Sequence, residues 1–443
     1  MALKSATAKP VRIRTIQFTT LSLLVLAGIV NFLDRSSLSI ANTTIRSELH
    51  LNATEIGALL AVFSLAYGMS QLPAGPLLDR FGMRLVLCMA MGVWSLAQMA
   101  TGLVSGFRLF VMLRAVLGLG EAPFMPAGVK AVNDWFAIED RGRAMGAVNM
   151  SSTLGVALAP PLLTAIMLTF GWRRMFLIIG GIGLALAAAW YAMNRDRERT
   201  DLTSQEVSYL DGNDRRSDRT TPSRPGISFR EWIGLFRLRT VWGMMLGFGG
   251  INYTAWLYLS WLPGYLQTAR HLSLGRTGWV AAIPFLAGSL GMWVNGIVAD
   301  RLARRSTDLM RSRKMLIIIG MVCSAACTLA VSHAATIAGT VSVISMALFF
   351  VHFAGTSAWG LVQIAAPAGI VASVGAIQNF GSFLCASIAP ILTGFILDRT
   401  HSFTLALTIC AGVTLAGALA YAFIVKHPIQ LARPNSGRLC KFD

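Results

Sequence analysis

The sequence predicts an all-α polytopic membrane protein, with twelve transmembrane helices in two six-helix bundles. Three observations carry that expectation. Of 443 residues, 55% are hydrophobic and 13% charged, and the mean hydropathy is +0.61, a balance that a water-soluble domain of this length would rarely show. Apolar stretches of about 20 residues, enough to cross a hydrocarbon core of roughly 30 Å, recur along nearly the whole chain. Patterns from the first half also return in the second. Strand-type alternation is absent, which removes a transmembrane barrel.

The first span begins near Ile16, behind Lys4, Lys9, Arg12 and Arg14. Its apolar run is too long for a cleaved signal sequence and no small-residue cleavage site follows, so it reads as a retained helix. The second begins near Thr54 and runs into GPLLDRFGMR; the third begins near Arg84 and the fourth near Phe107. The fifth and sixth start near Arg143 and Arg173 and complete an N-terminal bundle, residues 1–194. Residues 195–239, with ten Arg and eight acids, form a cytoplasmic linker with room for one short amphipathic helix. The C-terminal bundle and its cytoplasmic tail, 240–443, hold spans from near Thr240, Gly275, Lys314, Ala334, Ala368 and Phe403. Pro123, Pro126, Pro160, Pro161 and Pro390 mark kinks of the kind membrane helices tolerate.

A duplication underlies the two halves. GPLLDR at 75–80 returns as GIVADR at 296–301, after the second span of each half. AMGAVNMSSTLGVALAPPLLT from 144 aligns without gaps on SVGAIQNFGSFLCASIAPILT from 373, with Pro161 on Pro390 and Thr164 on Thr393. Two such bundles are the architecture of a rocking transporter with its site near the midplane.

A formal charge of +18 invites a nucleic-acid reading, which the placement of the charges removes. With the N-terminus inside, inner segments hold 29 Lys and Arg and outer loops seven. That asymmetry is the positive-inside rule; it puts both termini in the cytoplasm and assigns the excess to topology and anionic lipid headgroups. The six cysteines show neither paired nor metal-binding spacing, and the sequons at Asn42 and Asn52 read as chance. Trp256, Trp261 and Trp279 read as packing or interface anchors, and His352 is the lone histidine within a span.

The superfamily resemblance rests on GPLLDRFGMR, which looks like the loop signature of the major facilitator superfamily between helices 2 and 3. The physical sense of that loop is a latch. Asp79 and Arg80, with Asp300 and Arg301 in the repeat, are placed to meet neighbouring helix termini and charges, contacts broken and remade during rocking.

Topology explains every charge except Asp34, Arg35, Arg114 and Glu121, which lie within spans. Such groups cost roughly 2.5 to 3.5 kcal/mol each on the insertion scale unless paired or hydrated, so they are functional candidates by default. Arg114 and Glu121 share a face of the fourth span, two turns apart. Arg35 shares a stripe with Asn31 and Asn42, while Asp34 turns about 100° away. Tyr67 and Gln71 place a hydroxyl and an amide on one face of the second span. Two guanidinium groups suit a carboxylate, which each can grip with parallel hydrogen bonds. Two carboxylates suit protons. Capture of an anion by Arg35 would remove its pull on Asp34, making anion and proton binding mutually supportive, as symport requires.

LDRSSLSIA in the first span, RAVLGLGEAPFMPAG in the fourth, NDWFAIEDRGRAMG in the loop after it and NYTAWLYLSWLPGYL in the seventh resemble the anion:cation symporter family. That family contains bacterial permeases for sugar acids, phthalate permeases, and animal sialic-acid and vesicular glutamate transporters. The resemblance implies proton coupling at Asp34 and Glu121, contact of Arg35 with a substrate carboxylate, and support from Arg114. It also implies substrate contacts at Tyr67, Asn252, Thr356, Trp359 and Asn379, although GTSAWG in the tenth span departs from the sugar-acid branch.

The sequence therefore points to a proton-coupled symporter that imports an organic acid anion, a hexuronate, aldonate or aldarate, across the bacterial inner membrane. It is expected to act as a monomer among membrane lipids, without nucleic acid, metal or cofactor beyond the coupling proton. The alternatives are a phthalate-like aromatic acid permease, a proton-coupled exporter, and a non-transporting sensor derived from a permease. An exporter of cations conflicts with two cavity arginines and with GVALAPPLL in the fifth span, where such exporters carry a Gly-Pro signature. An intramembrane enzyme lacks a Ser/His dyad, paired Asp or metal cluster within a span.

Overall fold

The structure is a computed structural model that describes residues 10–211, 229–306, 308–367 and 370–429. Lys4, Lys9, the middle of the linker and the basic residues of the tail beyond 429 lie outside the described residues. Among the described residues all regular structure is helical. The N-terminal half contains α1 (Val11–Leu49), α2 (Ala53–Phe81), α3 (Met83–Thr101), α4 (Phe107–Glu121), α5 (Phe124–Trp135) and α6 (Ile138–Met193). Two short helices, α7 (Ser204–Asp211) and α8 (Phe229–Leu235), belong to the linker segment. The C-terminal half contains α9 (Arg239–Thr268), α10 (Leu274–Arg305), α11 (Leu309–Ala330), α12 (Ile337–Ala365), α13 (Val371–Thr400) and α14 (Thr404–Leu419), the last continued by a π-helical turn.

Among the described residues, ten helical segments are long and apolar enough to cross a membrane. Two local features reconcile that number with twelve crossings. Gly171, at φ 80 and ψ 165, divides α6 into two crossings, a left-handed backbone that glycine adopts without steric cost. The 30-residue α9 is diluted in apolarity by its tryptophans and tyrosines but spans the bundle beside the others.

The termini of the helices follow from local chemistry. Asn52 opens α2 with a capping box: its side chain accepts from the Glu55 amide while the Glu55 carboxylate accepts from the Asn52 amide. Asn52 is thus a helix cap, in keeping with its sequon being accidental. Pro123 interrupts the fourth crossing, so α4 ends at Glu121 and α5 restarts at Phe124. The surface is apolar, with Phe18, Leu103 and Trp279 more than 70% exposed, while Asn31, Asp34, Gln98 and Glu121 are fully buried. Polar inside and apolar outside is the arrangement a lipid environment selects.

The halves meet along three helix pairs, α1 with α9, α2 with α13 and α6 with α10. One end of the bundle carries the α1–α2 turn and the other carries the linker. At the α1–α2 end, hereafter the distal end, the halves are tied together. Ser39 donates to the Leu259 and Ser260 carbonyls at 2.8 and 2.7 Å, and Thr43 donates to Gln267 at 2.6 Å. At the linker end, Asp79 is 80% exposed and among the described residues pairs with Lys130 of its own half alone, at 3.8 Å. Asp300 and Arg301 are likewise exposed.

Close packing within the N-terminal bundle depends on small residues. A Cβ on Gly118 would stand 2.5 Å from the Phe63 carbonyl oxygen and 3.0 Å from the Tyr67 amide, so α2 and α4 approach there only without a side chain. Gly118→Val is therefore expected to destabilise the protein by about 1–3 kcal/mol through overpacking. Gly92→Ala, which meets no atom within 4 Å, should leave it unchanged or slightly more stable. Thermal unfolding of the two variants in detergent checks the contrast.

Candidate functional site

The four intramembrane charges converge inside the N-terminal bundle. Arg35 on α1 donates through Nε to Oε2 of Glu121 on α4 at 2.7 Å. The break that Pro123 imposes puts Glu121 at the last residue of α4, from which its carboxylate reaches across to α1. Asp34 lies within electrostatic reach of Glu121, Arg114 and Arg35. Arg114 in turn acts on Glu121 and Asp34. Two acids and two bases, all ionised, sum to zero charge, the condition under which burial is least costly.

Sequence reasoning missed the pairing within this set. It made Arg35 the partner whose pull governs Asp34, but Arg35 turns to Glu121. Both carboxylate oxygens of Asp34 are buried without a hydrogen-bond partner among the described residues. So, among the described residues, are Nε and Nη1 of Arg114, while Asn31, one turn before Arg35, lies beside the Glu121 carboxylate. Asp34, Arg114 and Glu121 are at most 1% exposed, whereas Arg35 keeps 8%. Arg35 is thus the least enclosed member of the set.

Aromatic rings enclose that guanidinium. The Arg35 Cζ lies 4.8, 5.5 and 4.5 Å from the ring centroids of Phe32, Phe63 and Tyr67, cation–π contacts worth about 0.5–2 kcal/mol each when desolvated. Tyr67 packs 4.8 Å from Phe383 on α13, and Phe63 packs 5.9 Å from Trp256 on α9. Trp256 and Phe383 also meet each other, at 5.7 Å. Two rings from each half therefore form a partition over the charged set. No pattern in the sequence singles out Phe63 or Phe383, since an isolated aromatic in an apolar span looks like any other core residue.

One turn from those rings toward the linker end lies a strip of neutral polar groups. Asn252 on α9 donates to Ser382 on α13 at 2.6 Å, and Ser382 donates to the Asn379 carbonyl at 2.7 Å. The Asn379 amide reaches across the halves to Gln71 on α2 at 3.2 Å. The structure thus brings together Tyr67, Gln71, Asn252 and Asn379, and adds Ser382. Thr356 and Trp359 lie on α12, with Trp359 against Gly375, one turn before Asn379, and neither makes a side-chain hydrogen bond to the strip among the described residues. Thr356 bonds its own helix at the His352 carbonyl, while Trp359 is 44% exposed and edge-on to Phe248, one turn before Asn252. His352 packs against Gly288 on α10, a helix-packing position. Trp256 and Trp261 are buried and Trp279 is exposed, as packing and interface roles require.

Chemically, the arrangement offers a carboxylate a guanidinium already held by an internal carboxylate. It offers a polyhydroxylated chain an adjoining set of amides and hydroxyls. Among the described residues no group of three or more His, Cys, Asp or Glu is spaced for a metal ion.

The fold is that of a membrane transporter built of two helical bundles. The chain belongs to the major facilitator superfamily, whose family pattern matches residues 24–390. It is 58% identical over 424 residues to the "Probable L-galactonate transporter" of Escherichia coli (strain K12), covering 96% of this chain and 92% of that protein. It is 30% identical to the "Hexuronate transporter" of Bacillus subtilis (strain 168), covering 94% of each. It is 31% identical to the "Probable galactarate/D-glucarate transporter GarP" of Escherichia coli (strain K12), covering 92% and 94%. Among solved structures, it shares the fold of a bacterial homologue of the lysosomal transporter Spinster in an inward-facing, unoccupied conformation. The TM-score is 0.72 at 16% identity, over 93% of this chain and 95% of that one. The relatives and the fold are those of transporters and not of enzymes, and the superfamily resemblance drawn from the loop signature holds.

The Arg35–Glu121 pair predicts a stability signature. Arg35→Ala leaves Glu121 as an uncompensated buried carboxylate and is expected to cost about 3–5 kcal/mol. Combining Arg35→Gln with Glu121→Gln should cost clearly less than the sum of the two single changes. Thermal unfolding of the purified variants at neutral pH measures the coupling, and strictly additive losses would contradict the pairing.

Proposed function

We propose that this chain is a proton-coupled symporter that imports a sugar acid anion, L-galactonate or a close chemical relative, by alternating access. The observation that carries the reading is the neutral, desolvated four-charge set with Arg35 held by Glu121. A substrate carboxylate that takes Arg35 displaces Glu121 and brings one negative charge into the site. A single proton on Glu121 or Asp34 cancels it. Anion and proton then favour each other's binding, which couples their movement. Arg114, with free N–H groups and two carboxylates in reach, steadies whichever acid keeps its charge.

The neutral strip of Gln71, Asn252, Asn379 and Ser382 supports a hydroxylated substrate, since amides and hydroxyls can both donate to and accept from sugar hydroxyls. An aromatic ring offers those groups no hydroxyls with which to use their remaining hydrogen-bonding capacity, which disfavours the phthalate-like alternative. The 58% identity to a probable L-galactonate transporter favours an aldonate within the sugar-acid class. The charge asymmetry of the loops supports cytoplasmic termini in a bacterial cell, and with that orientation the tied distal end faces outward and this conformation faces inward. No cofactor enters the cycle beyond the proton, and a monomer suffices because both halves lie in one chain.

Uptake into proteoliposomes tests the reading. With the lumen more alkaline than the bath, L-galactonate should accumulate above its external concentration, and collapse of the gradient should release it. Failure of aldonates, aldarates and hexuronates alike to accumulate under any gradient would contradict symport. Glu121→Gln should lose gradient-driven accumulation yet retain substrate exchange across the membrane; full uphill uptake by that variant would remove Glu121 from the proton path.

A further inference from the structure

The hexapeptide that ends α2, GPLLDR at 75–80, has a second counterpart at the end of α13, GFILDR at 394–399. Glycine, leucine, aspartate and arginine coincide, and so does the position, the last turns of two helices that pack against each other across the halves. α2 runs from the distal end to the linker end and α13 runs the other way. Each helix therefore ends beside the start of its partner.

An aspartate in the last turn of a helix is disfavoured by that helix's own dipole, and is stabilised only by donors from elsewhere. Asp398 has them. Its carboxylate accepts from the Ala53 amide at 2.9 Å, the Thr54 amide at 2.7 Å and the Thr54 hydroxyl at 2.6 Å, so it caps the first turn of α2 in the opposite half. Gly394, one turn earlier, permits the approach: a Cβ there would collide with the backbone of Ala53 and Thr54. Asp79 at the other end has no such partner, lying 80% exposed and 3.8 Å from Lys130. A Cβ on Gly75, the counterpart of Gly394, would meet nothing within 4 Å.

We propose that Asp398 is a second latch, the counterpart of Asp79, which holds the distal end shut by capping α2. It releases as Asp79 takes the start of α13 at the linker end. Rocking about the midplane closes one end as it opens the other, so one helix pair carries both catches and engages one at a time. The sugar-acid reading is independent of this assignment, because the latch acts on the gate and not on the substrate.

Distance measurement by spin labelling tests it in the full chain in nanodiscs. Labels at Ser47→Cys and Leu405→Cys, with the six native cysteines replaced by alanine, report the distal opening. Without substrate, the short distance should dominate. Asp398→Asn should shift the ratio of short to long distances toward long by roughly twofold to thirtyfold, the range of charged-cap losses. Thr54→Val should shift it the same way by less, and Asp79→Asn should shift it toward short. An Asp398→Asn or Thr54→Val distribution identical to wild type would overturn the latch, as would a shift of Asp79→Asn toward long. Should Asp398→Asn not fold, the Thr54→Val result decides alone.

Discussion

A guanidinium and a carboxylate 2.7 Å apart, sealed in an apolar helical bundle, constrain everything around them. Neither Arg35 nor Glu121 can be left alone there, since an unpaired charge in that setting costs several kcal/mol. The pair can part only if each finds a substitute. For the arginine the substitute is another carboxylate, and for the glutamate it is a proton. In the proposed cycle those substitutes are the substrate and the coupling ion, so the cost of an isolated charge is what ties them together.

The fold serves that constraint at each level. Pro123 ends α4 just after Glu121, whose carboxylate reaches Arg35 on α1. Gly118 lets α2 come close enough for Phe63 and Tyr67 to lie over Arg35. Those rings meet Trp256 and Phe383 from the other half, so the charged set lies behind the surface along which the halves move. Movement of the halves and the state of the charges thus share the same side chains. A rearrangement at Arg35 acts directly on Tyr67, and through it on Phe383.

Much of the architecture was legible in sequence because lipid imposes a simple rule. Apolar runs of fixed length and a biased distribution of Arg and Lys report spans without any knowledge of packing. The two crossings within α6 were separable because GWRR stands between apolar runs, and the structure places Gly171 there. The four charges were legible for the same reason, as each is expensive where it lies. Their pairing was not, because helical spacing relates residues on one helix and the decisive contact joins α1 to α4. Ser382 escaped notice since a serine in a span is usually bonded to its own backbone. Phe63 and Phe383 carry no signal until the helices are assembled. The role of Asp398 is not legible in GFILDR, because the amides it meets belong to a helix of the other half.

The central claim is that an incoming carboxylate at Arg35 obliges an acid in the site to take a proton. Proton uptake on binding tests it most directly, measured as the pH change when L-galactonate is added to the purified protein in weakly buffered detergent at neutral pH. The account predicts uptake approaching about one proton per anion bound, and markedly less in Glu121→Gln, which already carries a neutral group. Saturable binding of L-galactonate with no proton taken up by the wild-type protein would contradict it.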